Sequence, residues 1–269
     1  MLIPDPWHEL RNISPARIAL GRAGGSLPTR ELLDFALAHS RARDAVQMPF
    51  DTQRMAQEIR DLGSEVTLVT TLATTRKAYL TRPDWGRGLA PESVDPLRRI
   101  RASKAGASPA FDLVIVVSDG LSALAADRQV VPLLRFLLPR LVEQNWSLAP
   151  IVIAPFARVA LQDAVGQLLD CRLALSLLGE RPGLNSPDSL GAYFVHEPRV
   201  GKTDADRNCV SNIRPEGLPI EPAAQTLYRL LTAARDRRVS GVALKDDTPA
   251  LPIGGGFGSI VADCPTLFP

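Results

Sequence analysis

Three short apolar runs stand out in the second half of the chain: "FDLVIVV" (111–117), "LAPIVIA" (148–154) and "RLALSLL" (172–178), each bounded by turn residues. None alternates apolar with polar positions. That predicts strands buried on both faces, as in a parallel sheet covered on two sides. Between the runs the period lengthens to that of helices, over 121–145 and over 160–170, where Leu161, Val165, Leu168 and Leu169 form one stripe. Strand–helix–strand–helix–strand is the pattern of an α/β fold, here a Rossmann-like parallel sheet with helices on both faces. "LGAYFVH" (190–196) is a further candidate strand, and 222–238 a closing helix.

The first hundred residues read as mainly helical. "TRELLDFALAHSRARDAV" begins on a capping candidate, Thr29, and puts Leu32, Leu33, Phe35, Ala36 and Leu37 on overlapping apolar positions. "DTQRMAQEIRDLG" opens on Asp51 and closes on Gly63, the expected cap order. A β-branched run at 66–71 precedes the loop "KAYLTRPDWGRGL", and 91–102 reads as another helix despite Pro96. The chain thus divides into a smaller helical N-terminal domain (1–100), a Rossmann-like α/β domain (101–240) and a Gly- and Pro-rich tail (241–269) without periodicity.

Composition narrows the function classes. Thirty-one Lys and Arg against 29 Asp and Glu give a net charge of +2, too balanced to steer the protein onto nucleic acid or an anionic membrane. The longest apolar run, 148–157, is half a membrane span, and the N-terminus has no signal-peptide pattern, so a cytoplasmic protein is expected. Three distant cysteines and three scattered histidines make no zinc site and fit a reducing compartment.

Open parallel sheets hold ligands beyond the carboxyl ends of their strands. Three loops have that position: "SDGLS" (118–122), "PFARV" (155–159) and "GERPG" (179–183). Taken alone these stretches say less, and "FARV" by itself says almost nothing. "SDGLS" also suits a turn capping the next helix, "GERPG" a solvated turn, and Cys209 a small buried apolar side chain. "TRPDWG" (81–86) is a turn with one aromatic anchor. Nucleotide motifs fail: "GRAGG" (21–25) precedes the sheet, and "GGGFG" (254–258) opens no helix whose dipole could hold a pyrophosphate. Nor does the chain contain a Walker lysine motif, H-E-x-x-H or G-x-S-x-G. A ligand-binding edge without a catalytic set suggests a subunit that holds something while another chain reacts.

Together "YLTRPDWGRGL", "VVSDGLS", "LLGERPGL" and "DADRNCVSNI" form a pattern, in register from near "HELRNISPARIALGRAGG" to about residue 240. In it the chain resembles the small (light) subunit of ethanolamine ammonia-lyase. The resemblance implies an adenosylcobalamin-dependent lyase converting ethanolamine to acetaldehyde and ammonia. A large β/α-barrel subunit would carry the substrate site and radical chemistry, in an assembly of six large and six small chains. It also implies cobalamin contacts at Val159, Glu180 and Cys209, with no catalytic or metal-ligating residue in this chain. Glu180 would accept a hydrogen bond from a peripheral amide of the corrin, Val159 would offer apolar contact and Cys209 a small group; Arg181 would pair with a nearby carboxylate. The absence of D-x-H-x-x-G, the mark of cobalamin enzymes that replace the lower base by histidine, agrees. Relatives destined for a bacterial microcompartment carry a long leader before the matching region; here the match starts almost at once, which favours a freely cytoplasmic enzyme. The alternatives are a stand-alone nucleotide-dependent transferase or dehydrogenase, and a ligand-free assembly protein.

Overall fold

The computed structural model describes residues 2–3, 5–14, 16–104 and 106–245. The "GGGFG" stretch, Cys264 and the rest of the tail from 246 onward lie outside the described residues. A two-residue ribbon, β1 (Leu2–Ile3) with β2 (Arg22–Ala23), precedes α1 (Thr29–Gln47) and α2 (Thr52–Arg60). Then follow β3 (Val66–Leu68), α3 (Arg76–Thr81), α4 (Val94–Ala102), β4 (Phe111–Ser118), α5 (Ala123–Glu143), β5 (Ile151–Ile153) and α6 (Leu161–Leu169). The chain continues through β6 (Cys171–Gly179), β7 (Leu190–His196), β8 (Arg207–Ile213) and α7 (Ile220–Arg237).

The main sheet has six strands in the order β3-β5-β4-β6-β7-β8. The three apolar runs fall on β4, β5 and β6, which pair in parallel at its centre. Leu113, Ile115 and Val117 of β4 face one core, shared with α2, α5 and α7, while Val114 and Val116 face another, shared with α4 and α6. Helices therefore cover both faces of the central strands, as their unbroken hydrophobicity requires.

Two features depart from the expected pattern. The sheet is mixed: β7 runs antiparallel to β6, and β8 antiparallel to β7. A parallel return needs a crossover of a dozen or more residues, usually a helix. The 180–189 connection has ten residues and no helix, so the chain turns back directly. Secondly, the 66–71 run supplies a sheet strand: β3 pairs in parallel with β5, and neighbouring α2 and α4 contribute Met55, Ile59 and Leu97 to the two cores.

Caps explain several boundaries. Asp51 caps α2 through its carboxylate and the Arg54 N–H, as its sequence position predicts. Thr29 does not cap α1; it is the first helical residue, after Pro28. The apolar positions of α1 also differ from expectation. Only Ala38 and Ala45 are buried, whereas Leu32, Leu33, Phe35 and Leu37 are exposed.

The loops after β4 and β6 meet at Gly179. A Cβ there would overlap the Ser122 carbonyl oxygen and stand 2.7 Å from that of Asp119, both rigid backbone atoms. Gly179→Ala is therefore expected to lower the unfolding free energy by about 3 kcal/mol. Gly25→Ala, with open space around it, should change it by less than about 0.5 kcal/mol. Denaturant midpoints at equal m-values give the comparison.

Candidate functional site

Of the three loops predicted to hold ligand, the first is occupied by its own chain. Asp119 has no exposed surface. Its Oδ2 accepts from Arg76 at 2.5 Å, and its Oδ1 from the Phe156 N–H at 2.7 Å and Ser118 Oγ at 3.1 Å. Burial raises the Asp119 pKa, against the opposing pull of Arg76 and these donors. Ser122 is the N-cap of α5, accepting from the Ala125 N–H at 3.1 Å. "SDGLS" is thus a capping turn.

The third loop carries Glu180, whose carboxylate is held firmly. Ser189 Oγ donates to Oε2 at 2.6 Å, the Asn212 N–H to the same oxygen at 3.1 Å, and the Tyr193 hydroxyl to Oε1 at 3.4 Å. Its side chain crosses β7 at Gly191, where a Cβ would stand 3.0 Å from Glu180 Cγ and 2.7 Å from the Tyr193 ring. Glu180 therefore stitches the end of β6 to β7 and β8. A solvated Glu180 does not describe this geometry. Arg181 is exposed and has no carboxylate partner among the described residues, contrary to the pairing expected of it. Asp188 is instead held by Arg128 and Arg214, at 3.0 and 3.6 Å.

Tyr193 stands opposite Cys209 in the β7–β8 ladder and opposite Ser176 on β6. Cys209 is exposed, so the reading of it as a buried apolar group does not hold. Its thiol faces Tyr193; partial loss of hydration against the sheet, with the Glu180 carboxylate nearby, pushes its pKa up to about 11, so the thiol form prevails at neutral pH. Two residues earlier, Arg207 is on the same face of β8 and reaches α6, pairing with Asp163. Arg207 also lines a cavity of about 420 Å³ with Arg158, Val159 and Ala160 at the start of α6.

Glu180 and Cys209 thus meet Tyr193 on one face of β7 and β8, and Val159 reaches that side only through the cavity it lines with Arg207. The α7 helix covers the opposite face of these strands. Two fully buried polar side chains have no partner among the described residues: both amide atoms of Gln162, in the first turn of α6, and Oγ of Ser176, on β6 opposite Tyr193. Sequence reasoning passed over Tyr193, Gln162, Ser176 and Arg207. For Tyr193 and Arg207, period-2 alternation with Cys209 across the paired strands was the available signal.

The model of the family described as "Ethanolamine ammonia-lyase light chain (EutC)" matches residues 4–245. The chain belongs to this family. Relatives named "Ethanolamine ammonia-lyase small subunit" include one from Azotobacter vinelandii, 51% identical over 251 residues, which cover 93% of this chain and 92% of that protein. Another, from Pseudomonas fluorescens, is 49% identical over 243 residues, 90% and 88% of the two chains. A third, from Pseudomonas aeruginosa, is 49% identical over 251 residues, 93% and 91%. The ethanolamine ammonia-lyase light-chain match takes in the whole sheet and the surface around Glu180 and Cys209. Among the described residues no helix is long and apolar enough to cross a membrane, and no cluster of His, Cys, Asp or Glu could hold a metal.

Asp163 offers a direct probe of the α6 end of this surface. Burial raises its pKa to about 6, against the opposing attraction of Arg207. A carboxyl whose pKa rises on folding contributes most while protonated, below pH about 4, and that contribution is lost as the pH climbs through about 6. Asp163→Asn cannot titrate. Its melting temperature relative to the parent is therefore expected to rise between pH 4.5 and pH 7, as followed by circular dichroism.

Proposed function

We propose that this chain is the small subunit of an adenosylcobalamin-dependent ethanolamine ammonia-lyase, converting ethanolamine to acetaldehyde and ammonia. It helps to bind cobalamin, while a large subunit carries the substrate site. The observation that carries this reading is the shared polar face on which Glu180 and Cys209 meet Tyr193, with Val159 lining a cavity beside Arg207 of the same strand as Cys209, in a chain of this family.

The residues present fit the cofactor. A corrin is rimmed by amide side chains, which both donate and accept. The buried, unpartnered amide of Gln162 and hydroxyl of Ser176 are groups of complementary chemistry beside that face. Glu180 keeps acceptor capacity on Oε1, which has only the long Tyr193 bond. Cys209 stands exposed beside it with a small, protonated thiol, suited to contact and not to nucleophilic attack. When bound, adenosylcobalamin supplies the radical chemistry; this chain's residues bind and orient it and keep water from one side.

Exposed apolar side chains support a partner. Trp7, Leu32 and Leu33 are each more than half exposed, and Phe35 and Leu37 flank them on α1. An assembly of six large and six small chains would cover such surface. For the nucleotide-dependent alternative, the crevice beyond β4, where a pyrophosphate would enter, is filled by Asp119, Arg76 and Phe156.

The test uses the large and small chains purified as a complex. Acetaldehyde release should require both chains together with adenosylcobalamin. Cys209→Phe should reduce the cobalamin carried through gel filtration, read by visible absorption, by at least about tenfold, while Cys209→Ser stays near the parent. The complex should remain intact in both. Dissociation by Cys209→Phe would make Cys209 an interface residue and overturn its proposed role.

A further inference from the structure

The cavity at the start of α6 has a charge pattern that the corrin contacts do not use. Arg87, Arg158, Lys202 and Arg207 line it, and Asp204 is the one carboxylate in the lining. Arg207 is answered by Asp163 and Asp204, and Lys202 lies 4.0 Å from Asp206. Arg87 and Arg158 have no carboxylate partner among the described residues. The "TRPDWGRGL" loop puts them together: the Arg158 N–H donates to the Gly86 carbonyl at 2.8 Å, and Gly86 immediately precedes Arg87. Arg158 is held over Tyr79, its guanidinium carbon 4.2 Å from the ring centre and its Nη2 donating to the Tyr79 carbonyl.

Donors are also left over. Arg207 has 5% of its side chain exposed, yet its Nε has no partner among the described residues, and neither has the buried Nε of Arg158. The N–H groups of Val159 and Ala160, both lining residues, have no protein acceptor among the described residues. Unanswered guanidinium charge beside free backbone N–H groups at a helix start is the chemistry that holds a phosphate-type oxyanion.

We propose that this cavity binds a phosphodiester, and that the phosphodiester is the one in the nucleotide tail of cobalamin. The proposal rests on the cobalamin reading above. It goes further by assigning Arg87 and Arg158 to the only anionic group of that tail. Continuity supports the assignment: the cavity shares Val159 with the proposed corrin contacts, and Arg207 with the β8 face that carries Cys209. A ligand in contact with both Val159 and Cys209 has the cavity beside it.

The experiment compares two corrinoids on the assembled large–small complex. Cyanocobalamin carries the phosphodiester; dicyanocobinamide lacks the phosphate, ribose and base. Binding is read by visible absorption after gel filtration, so the result does not depend on turnover. Arg87→Gln and Arg158→Gln are each expected to weaken cyanocobalamin binding about 10- to 100-fold and to leave dicyanocobinamide within about twofold of the parent. Arg87 is exposed and unpaired, so Arg87→Gln should retain the parent melting temperature even if Arg158→Gln, which gives up the Tyr79 contacts, does not. Unchanged cyanocobalamin binding by Arg87→Gln, or equal weakening of both corrinoids, overturns the phosphodiester assignment alone. A parent complex that binds neither corrinoid overturns the cobalamin reading itself. Inorganic phosphate that raises the parent melting temperature, in a complex where Arg87→Gln leaves cyanocobalamin binding unchanged, identifies a free-phosphate site instead.

Discussion

A buried carboxylate fixes where this molecule can bind anything. Moving a charge out of water costs several kcal/mol per ion, and only near-complete hydrogen bonding offsets that cost. Asp119 meets the condition with Arg76 on one oxygen and the Phe156 N–H and Ser118 hydroxyl on the other. Arg76 in turn lies over the Tyr79 and Phe156 rings, with its guanidinium carbon 5.4 and 5.2 Å from their centres. One side chain thus ties the start of α3, the loop after β4 and the loop after β5 into a single unit. The loop after β6 joins it through the Leu121 N–H and the Gly179 carbonyl.

This unit occupies the crevice where the strand order reverses. From β4 the chain passes to β5 on one side, and from β6 to β7 on the other, and open α/β sheets commonly hold ligands at that point. Here the crevice is closed, and binding chemistry is displaced sideways. Because β7 and β8 return without crossover helices, one of their faces stays uncovered beside α6. Tyr193, Cys209 and Arg207 alternate onto that face by the period of two that any strand imposes. A departure from a uniform parallel sheet creates the surface on which the proposed function depends.

These relations differ in how visible they are along the chain. The central strands are legible because burial on both faces removes polar residues from 113–117, 151–154 and 173–178, Ser176 being the one exception. The Asp51 cap is legible because its acceptor and donor are three residues apart. The antiparallel edge carried a weaker signal, a helix-free connection of ten residues. The β3 strand, three residues long, is too short for any period to declare itself. Asp119 had no local signal at all: its partners Phe156 and Arg76 stand 37 and 43 residues away, and a buried Asp in a turn reads like a solvated one. Glu180 shows the same limit, since Asn212 is 32 residues on. The "GERPG" stretch put Glu180 at the correct edge, but only the folded sheet shows that its carboxylate already has three donors.

The α1 helix extends the same reasoning from the chain to an assembly. Apolar periodicity reports which residues leave water in the finished complex, and nothing in it specifies whether the covering surface belongs to the same chain. In this fold both cores close without Leu32, Leu33, Phe35 or Leu37, and α1 packs beside α5 with only the small Ala38 and Ala45 buried. The exposed stripe is therefore not a defect of the core, because the core does not lack those atoms. The β7–β8 face is its polar counterpart, and beneath it the buried Gln162 of α6 and Ser176 of β6 have no partner among the described residues. One unfinished surface calls for apolar cover and the other for donors and acceptors. A corrinoid with amide side chains and an anionic tail would meet the polar need, and a large subunit the apolar one. The two requirements stand on different elements, so in the proposed complex loss of the cofactor need not loosen the grip between subunits.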